Sequence, residues 1–235
     1  MILDLLTDKL PARARDLMLA WDEQRNASWA DAERQAEARA ASDGHLPQLR
    51  GQFRYHLGER ALAEAARAAG IGCIPLKTTP PGGTFIVARI GRFGLVSLAV
   101  RYSGLLPRRS ITRKLLSQAN EPLDPQGELF KERTDPSAVV TDLAYFGCLI
   151  AVANRHDPSA PTELAFGVPN AALNKWISWI PLWRLHAMLQ GRIDSPSKGS
   201  AAANTIPDQA FPKFRLPAKR ENKEDDSGSP GGRSA

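Results

Sequence analysis

Few residues in this sequence combine the types and the spacing that catalysis or metal binding requires. His56 and Glu59 stand three positions apart in a predicted helix and therefore share one of its faces. They would supply two ligands, which is half of a metal site, and no His-Glu-x-x-His motif or cysteine pair completes it. We interpret them as an ordinary surface pair, and we predict that the protein uses no metal and no cofactor.

Three other residues could act on a phosphodiester bond. His156 precedes Asp157 and Pro158 in a predicted turn, where a histidine can serve as a general base. Asp142 and Glu163 belong to later predicted strands and could form a pair of carboxylates, although no lysine stands between them to complete the pattern of a metal-dependent nuclease. There is also no Gly-x-Ser-x-Gly elbow and no P-loop. A metal-dependent phosphodiesterase or nuclease is therefore the third hypothesis, behind two without catalysis.

The charge of the chain is concentrated in one segment. The 235 residues carry 31 Lys and Arg against 25 Asp and Glu, a net charge of +6. Residues 50–119 hold 12 basic and 2 acidic side chains, whereas residues 1–49 (6 basic, 9 acidic) and 120–190 (5 basic, 8 acidic) are both acidic. This basic block either neutralises itself against its acidic flanks or faces a polyanion, and both alternatives remain open at this point.

The middle of the basic block provides the predicted binding site. Residues 84–90 and 95–102 are predicted to form an antiparallel hairpin joined by residues 91–94, and a helix begins after Pro107 with Ser110 as its N-cap. Arginine binds phosphate through paired hydrogen bonds, and each neutralised phosphate releases counterions. An aromatic ring at the hairpin tip would stack on a base. The predicted nucleic-acid-binding residues are Arg89, Arg92, Phe93, Arg101, Arg108, Arg109, Arg113 and Lys114.

The helix after Pro107 has two different stripes. Ile111, Leu115 and Ala119 recur at steps of four and are predicted to pack inward. Arg109 and Arg113 form a second stripe, which we expect to face outward. The leading hypothesis is therefore a cytoplasmic protein without catalytic activity that binds DNA or RNA mostly through phosphates.

The alternative hypothesis is a protein-interaction or inhibitor module. In it the basic block engages an acidic partner protein, and the N-terminal helices or a tryptophan-rich helix mediate assembly, homo-oligomers included. Trp176, Trp179 and Trp183 recur at steps of three and four within a helix predicted over residues 171–190, with a break at Pro181. We favour packing in the core for these rings because large aliphatic residues surround them.

Composition divides the chain into three parts. Residues 1–45 read as helical, with a second helix starting at Pro11 and an apolar stripe that ends at Trp21, after which we predict a solvated helix. Residues 46–190 are predicted to form an α+β core, mainly an antiparallel sheet with flanking helices. Its elements are a helix over 54–69 ended by Gly70, the hairpin, and strands near 71–76 and 163–168; residues 139–154 form one or two buried strands or, alternatively, a buried helix. Residues 191–235 have few large apolar side chains and are predicted to be a disordered tail.

The two cysteines indicate the compartment. Cys73 and Cys148 cannot form a disulfide framework, and their apolar surroundings favour buried free thiols in a reducing cytoplasm. The N-terminal residues lack the basic start and apolar core of a signal peptide. The longest apolar run, residues 143–153, is shorter than the roughly 20 residues of a membrane-spanning helix. We therefore predict a cytoplasmic protein with no membrane partner.

Overall fold

The structure is a computed structural model that describes residues 1–7, 10–78, 82–124 and 144–194. The helices in these ranges are α1 (Ile2–Thr7), α2 (Pro11–Arg39), α3 (Leu46–Ala68), α4 (Ile111–Ser117), which a 3-10 helix (Gln118–Leu123) continues, and α5 (Leu182–Asp194). The strands are β1 (Cys73–Lys77), β2 (Thr84–Ile90), β3 (Phe93–Val100), β4 (Tyr145–Ala153), β5 (Pro161–Pro169) and β6 (Trp176–Pro181).

The strands form one six-stranded sheet in which spatial order follows chain order. Four of the neighbouring pairs are antiparallel, and only β3 and β4 are parallel. The parallel pair runs from Phe93 opposite Tyr145 to Val100 opposite Val152, and α4 lies in the connection that such a pair requires. The predicted α+β fold with a mainly antiparallel sheet is confirmed, as are the hairpin and the end of α3 at Gly70, which adopts a positive φ of 65°.

Apolar side chains alternate between the two faces of the sheet because successive strand residues point in opposite directions. On one face, Leu95, Leu149 and Phe166 pack with side chains from α1, α2, α3 and α5. On the other face, Val96 and Phe146 belong to a second cluster, which includes Leu116 of α4. The N-terminal helices thus share an apolar cluster with the sheet.

Helix α2 is buried well beyond Trp21, so the prediction of a solvated helix there is wrong. Trp29, Ala32 and Ala36 are fully buried, and Arg25 is only 1% exposed. These residues follow one another at steps of four, three and four, which places them along one side of α2. That side packs along α3. The sequence pattern did not predict this contact, because alanine and arginine contribute little to an apolar stripe.

Residues 171–190 do not form one helix, so that prediction is wrong as well. Trp176 and Trp179 belong to β6, and their rings meet edge to face with centroids 5.2 Å apart. Trp183 lies on α5 and is 72% exposed, so packing in the core is wrong for this ring. Spacings of three and four indicate a shared face only if the segment is helical, and here a strand replaces the first half.

The predicted disordered tail falls mainly on residues 195–235, which lie outside the described residues, while residues 191–194 are the last of α5. Asp142 also lies outside the described residues. Both cysteines are free thiols, as predicted, with Cys148 buried and Cys73 half-buried. Burial raises the pKa of the Cys148 thiol to about 12, which keeps it protonated and unreactive.

Candidate functional site

The two strands of the β2–β3 hairpin separate after three residue pairs. The register joins Ile90 to Phe93 and ends where Ala88 faces Leu95. Farther from the turn, β2 remains paired with β1 and β3 remains paired with β4, so a gap opens between β2 and β3. In an antiparallel pair, alternate residues bond to the same neighbouring strand, so after Ala88 the next N–H of β2 that would bond to β3 is that of Ile86. This N–H instead donates to Oε2 of Glu59 on α3. A helix side chain therefore replaces a strand as the hydrogen-bond partner at this point.

Glu59 is 9% exposed, so the prediction that it forms a surface pair with His56 is wrong. Burial raises the pKa of the Glu59 carboxyl to about 7, although the Ile86 N–H and the positive charges of Arg25 and Arg113 oppose the shift. Near neutral pH this carboxyl is therefore partly protonated and can donate as well as accept a hydrogen bond. His56 is exposed and packs on the edge of the Tyr55 ring instead.

Two adjoining cavities border this gap. The first has a volume of about 220 Å³, and most of its lining surface is apolar, with Glu59 and Ser97 among its polar groups. The second has a volume of about 310 Å³ and is lined by arginines. Four residues line both cavities: Tyr55, Ser97, Leu98 and Arg113. We call the first the apolar cavity and the second the arginine cavity.

Three aromatic and basic side chains form one wall of the arginine cavity. The Trp29 ring is fully buried, and the guanidinium groups of Arg25 and Arg54 lie over it, 5.0 and 4.3 Å from its centroid. The Trp29 indole N–H and Nη2 of Arg54 both donate to the carbonyl of Pro158, at 3.1 and 2.7 Å. Arg25 Nη1 donates to the Arg54 carbonyl at 3.0 Å. These contacts hold two cationic side chains in fixed positions beside the cavity.

The positive charge of this wall is only partly compensated. Glu33 of α2 is shared between Arg50, with which it pairs directly, and Arg54, at 3.6 Å. Burial lowers the pKa of the Arg25 guanidinium to about 10, which still leaves it charged at neutral pH. Its nearest acidic influence is Glu59, which is itself partly protonated. The acidic flank thus covers part of the basic block and leaves an excess of positive charge.

Arg101 and Arg113 provide the accessible part of that excess. Both line the arginine cavity, and neither forms an ion pair within the described residues. Arg101 is exposed immediately after β3. Arg113 donates through Nη1 to the Arg108 carbonyl at 2.9 Å, which turns its guanidinium back from α4 toward the cleft. Their charges are therefore available to an anion.

Three residues that line these cavities also carry polar atoms with no partner in the described part of the chain. Nε of Arg25, Nε of Arg54 and Oγ of Ser97 are buried and have no hydrogen bond to any of the described residues. Ser97 is 5% exposed. An unsatisfied buried group costs about 1–3 kcal/mol, and folded proteins seldom retain one without a reason. A bound molecule that carries acceptor atoms would remove part of this cost.

The predicted binding residues fall into separate groups. Arg92 directly precedes the eight-residue strand β3 and Arg101 directly follows it. A strand of that length spans roughly 27 Å. Arg89 lies on the Arg92 side, opposite Gly94 in the register. The exposed side chains of Arg108, Arg109 and Lys114 lie around the start of α4, on the side of Arg113.

Phe93 is fully buried, so its assignment as an exposed base-stacking ring is wrong. The hairpin turn consists of Gly91 and Arg92 alone, and Gly91 has the positive φ, 53°, that a two-residue turn favours. Phe93 is already the first residue of β3 and points into the core, where its ring centroid lies 5.8 Å from that of Phe166. Arg92 stays exposed, with its guanidinium over the Tyr145 ring.

Helix α4 begins as predicted, because Ser110 Oγ accepts a hydrogen bond from the Arg113 N–H at 3.2 Å. Its buried side differs from the prediction: Thr112 and Leu116 are buried, whereas Ile111 is 55% exposed. The helix has only 7 residues, so a stripe at steps of four carries little weight. Arg109 reaches the Leu173 carbonyl at 3.4 Å, and it does not form an outward stripe with Arg113.

The catalytic candidates do not form an active site within the described residues. His156 is exposed in the turn after β4, and the Asn154 side chain accepts a hydrogen bond from its backbone N–H. Oε1 of Glu163 accepts a hydrogen bond from the Trp179 indole at 3.1 Å. No cluster of three or more His, Cys, Asp or Glu in the described part of the chain could hold a metal ion. Phosphodiester cleavage stays a prediction that these residues do not support.

The chain shows no significant match to any protein-family model, to any curated protein or to any solved structure. Among the helices described, none has the length and apolar character that crossing a membrane would require. A functional assignment therefore rests on the chemistry of the cleft. Sequence reasoning missed Arg25, Trp29, Arg54 and Ser97 among its residues, and it considered Glu59 only as a surface partner of His56. The available signal was the spacing of Arg25 and Trp29, which are one turn apart on α2 and therefore share one face of that helix.

Two glycines of α3 provide a matched test of how Arg25 is held. A Cβ at Gly58 would lie 2.1 Å from Arg25 Nη1, whereas a Cβ at Gly51 would meet nothing within 4 Å. Gly→Ala within a helix normally stabilises by about 1 kcal/mol. We expect Gly51→Ala to gain up to that amount in urea unfolding, and Gly58→Ala to lose about 1–3 kcal/mol through overpacking. Equal stabilisation by both changes would show that Arg25 is not confined against α3.

Proposed function

We propose that the protein binds nucleic acid, with the phosphate backbone in the arginine cavity. The observation that carries this proposal is the cluster of arginines whose charge exceeds that of the acidic side chains beside it. Arg101 and Arg113 would contact phosphate directly. Arg25 and Arg54 would contribute from the wall, where each has an Nε–H without a partner in the described residues. Arginine suits this role because its planar fork matches two phosphate oxygens.

A chain of phosphates fits the surroundings better than a single anion. The Arg113–Arg108 hydrogen bond connects the cavity to the start of α4, where Arg108, Arg109 and Lys114 are exposed. Arg155, also exposed, follows β4 in the turn that contains Pro158. Basic side chains therefore continue on both sides of the arginine cavity, as a polyanion requires. The role is that of a binding protein without a cofactor. We place it in the cytoplasm, a proposal supported by the two free cysteines.

The test compares equal charge changes at the two ends of β3. Fluorescence anisotropy of a labelled 12-nucleotide oligomer is measured over a salt series with Arg101→Glu, Arg113→Glu and the matched controls Arg89→Glu and Arg92→Glu. We expect a loss of about tenfold or more for each cavity variant. The slope of log K against log salt should fall by about one for each phosphate contact removed. The controls should stay within about threefold of the unmodified protein.

Two outcomes would contradict the proposal. The first is the absence of oligonucleotide binding at low salt by the folded protein. The second is an equal loss of affinity in the cavity variants and the controls, which would indicate nonspecific attraction by net charge. Polyglutamate is added as a competitor. If it displaces the oligomer at equal charge concentration, the alternative of an acidic partner protein replaces the nucleic acid.

A further inference from the structure

We infer that the apolar cavity receives one unpaired nucleobase, so that the protein selects single-stranded nucleic acid. This inference rests on the proposed function, because the phosphate of the same nucleotide would lie in the arginine cavity. The two cavities share Tyr55, Ser97, Leu98 and Arg113 as their common boundary. A nucleotide has the same arrangement, with an anionic end and an aromatic ring joined through a sugar.

The walls of the apolar cavity suit a flat aromatic ring. Phe85 and Phe146 contribute rings, while Val96 and Leu116 contribute aliphatic surface. All four are buried or nearly so, and they belong to the same apolar cluster of the sheet. The volume of about 220 Å³ offers space on the scale of one heterocycle and cannot admit a base pair. Contact with such surfaces is independent of base identity because every base has an apolar face.

Two polar groups in this cavity fit the edge of a base. Ser97 Oγ is buried without a partner among the described residues and can both donate and accept. Glu59 lines the same cavity and uses Oε2 for the Ile86 N–H. Its other oxygen can act as an acceptor, or as a donor when the carboxyl is protonated. Base edges carry both kinds of group, so a bound base would satisfy the Ser97 hydroxyl that the fold leaves unpaired.

The size of this cavity would disfavour duplexes. A base within a duplex is stacked and paired, and moving it into a protein pocket costs a few kcal/mol. A single strand avoids most of that cost. Selection of single strands therefore follows from the cost of unpairing the base and needs no contact with a particular sequence.

The experiment compares single-stranded dT12 with a 12-unit abasic phosphodiester of the same number of phosphates and with a duplex containing dT12, which has twice as many; rU12 is the RNA counterpart of dT12. We expect dT12 or rU12 to bind about tenfold or more tightly than both the duplex and the abasic strand. Ser97→Ala removes the hydroxyl and adds no volume to the cavity wall. It should weaken binding of the base-bearing strand about fivefold and leave the abasic strand unchanged. Ser103→Ala, at an exposed position, is the matched control.

The outcomes separate this inference from the proposed function. If the abasic strand binds as tightly as dT12, and Ser97→Ala changes neither, the base pocket is wrong, while a loss in Arg101→Glu still supports phosphate binding. If Ser97→Ala weakens both strands equally, the hydroxyl does not contact a base and the inference is also wrong. Thermal unfolding of Ser97→Ala and Ser103→Ala shows that the variants are folded.

Discussion

Replacement of Asn120 by leucine is expected to lower the free energy of unfolding by about 3–5 kcal/mol. Asn120 is completely buried on the 3-10 helix that follows α4. Its Nδ2 donates to the carbonyls of Phe146 and Pro169 at 2.8 and 2.7 Å, and its Oδ1 accepts the Phe146 N–H at 2.8 Å. Leucine has a similar volume but no polar atoms, so three backbone groups at the ends of β4 and β5 would lose this partner.

The loss would be large because a domain of this kind is stable by only about 5–15 kcal/mol. Urea unfolding followed by far-UV circular dichroism measures it. Gln118→Leu is the matched control, since Gln118 is exposed on the same 3-10 helix and should change stability by less than about 0.5 kcal/mol. If Asn120→Leu costs no more than this control, Asn120 does not join β4 to β5.

Replacement of Glu59 by glutamine is expected to remove the contribution of this carboxyl to the pH dependence of stability between about 4.5 and 7. Burial lowers the pKa of His186, so that imidazole contributes with the opposite sign in both proteins. Burial raises the pKa of the folded-state Glu59 carboxyl to about 7, above its ordinary value of 4.5. The folded state therefore retains a proton that the unfolded chain releases. The stabilisation by this group is fully present below pH 4.5 and is lost as the pH rises through 7. Glutamine stays neutral, and its Oε1 can still accept the Ile86 N–H.

At pH 8 the Glu59→Gln protein should be more stable than the unmodified protein by about 3 kcal/mol, the cost of keeping the buried carboxylate ionised. Unfolding in urea at several values between pH 4 and 8 measures both proteins. Glu64→Gln is the control on the same helix, because Glu64 pairs with Arg60 near the surface. If the difference in stability between the two proteins does not change from pH 4 to pH 8, the titration belongs to another group.

The sequence was informative where local rules determine the structure. Ser110 caps α4, Gly70 ends α3, and the Gly91–Arg92 turn closes a hairpin, because each depends on residues within one or two turns of chain. The prediction for Phe93 was wrong by a single position, because a two-residue turn makes Phe93 the first residue of a strand and the pleat directs its ring into the core. The prediction for the tryptophans was wrong because their spacing was interpreted as helical.

The cleft could not be predicted because its parts are distant in sequence. Arg25 and Trp29 come from α2, Glu59 from α3 and Ser97 from β3, and only their packing places them together. A charge count along the chain identified the basic block that contains Arg101 and Arg113. The charge count could not show that Arg89 and Arg92 lie at the other end of β3, because a net charge does not say where the side chains lie in the fold.

The separation of β2 from β3 also bears on the order in which the protein acquires its structure. Ala88 and Ile90 can pair as soon as the hairpin forms, since their partners are within a few residues along the chain. Ile86 obtains its partner only when α3 docks and brings Glu59 to the gap. One strand thus belongs to two cooperative units, and transient undocking of the helix would open the cleft while the turn of the hairpin stays intact.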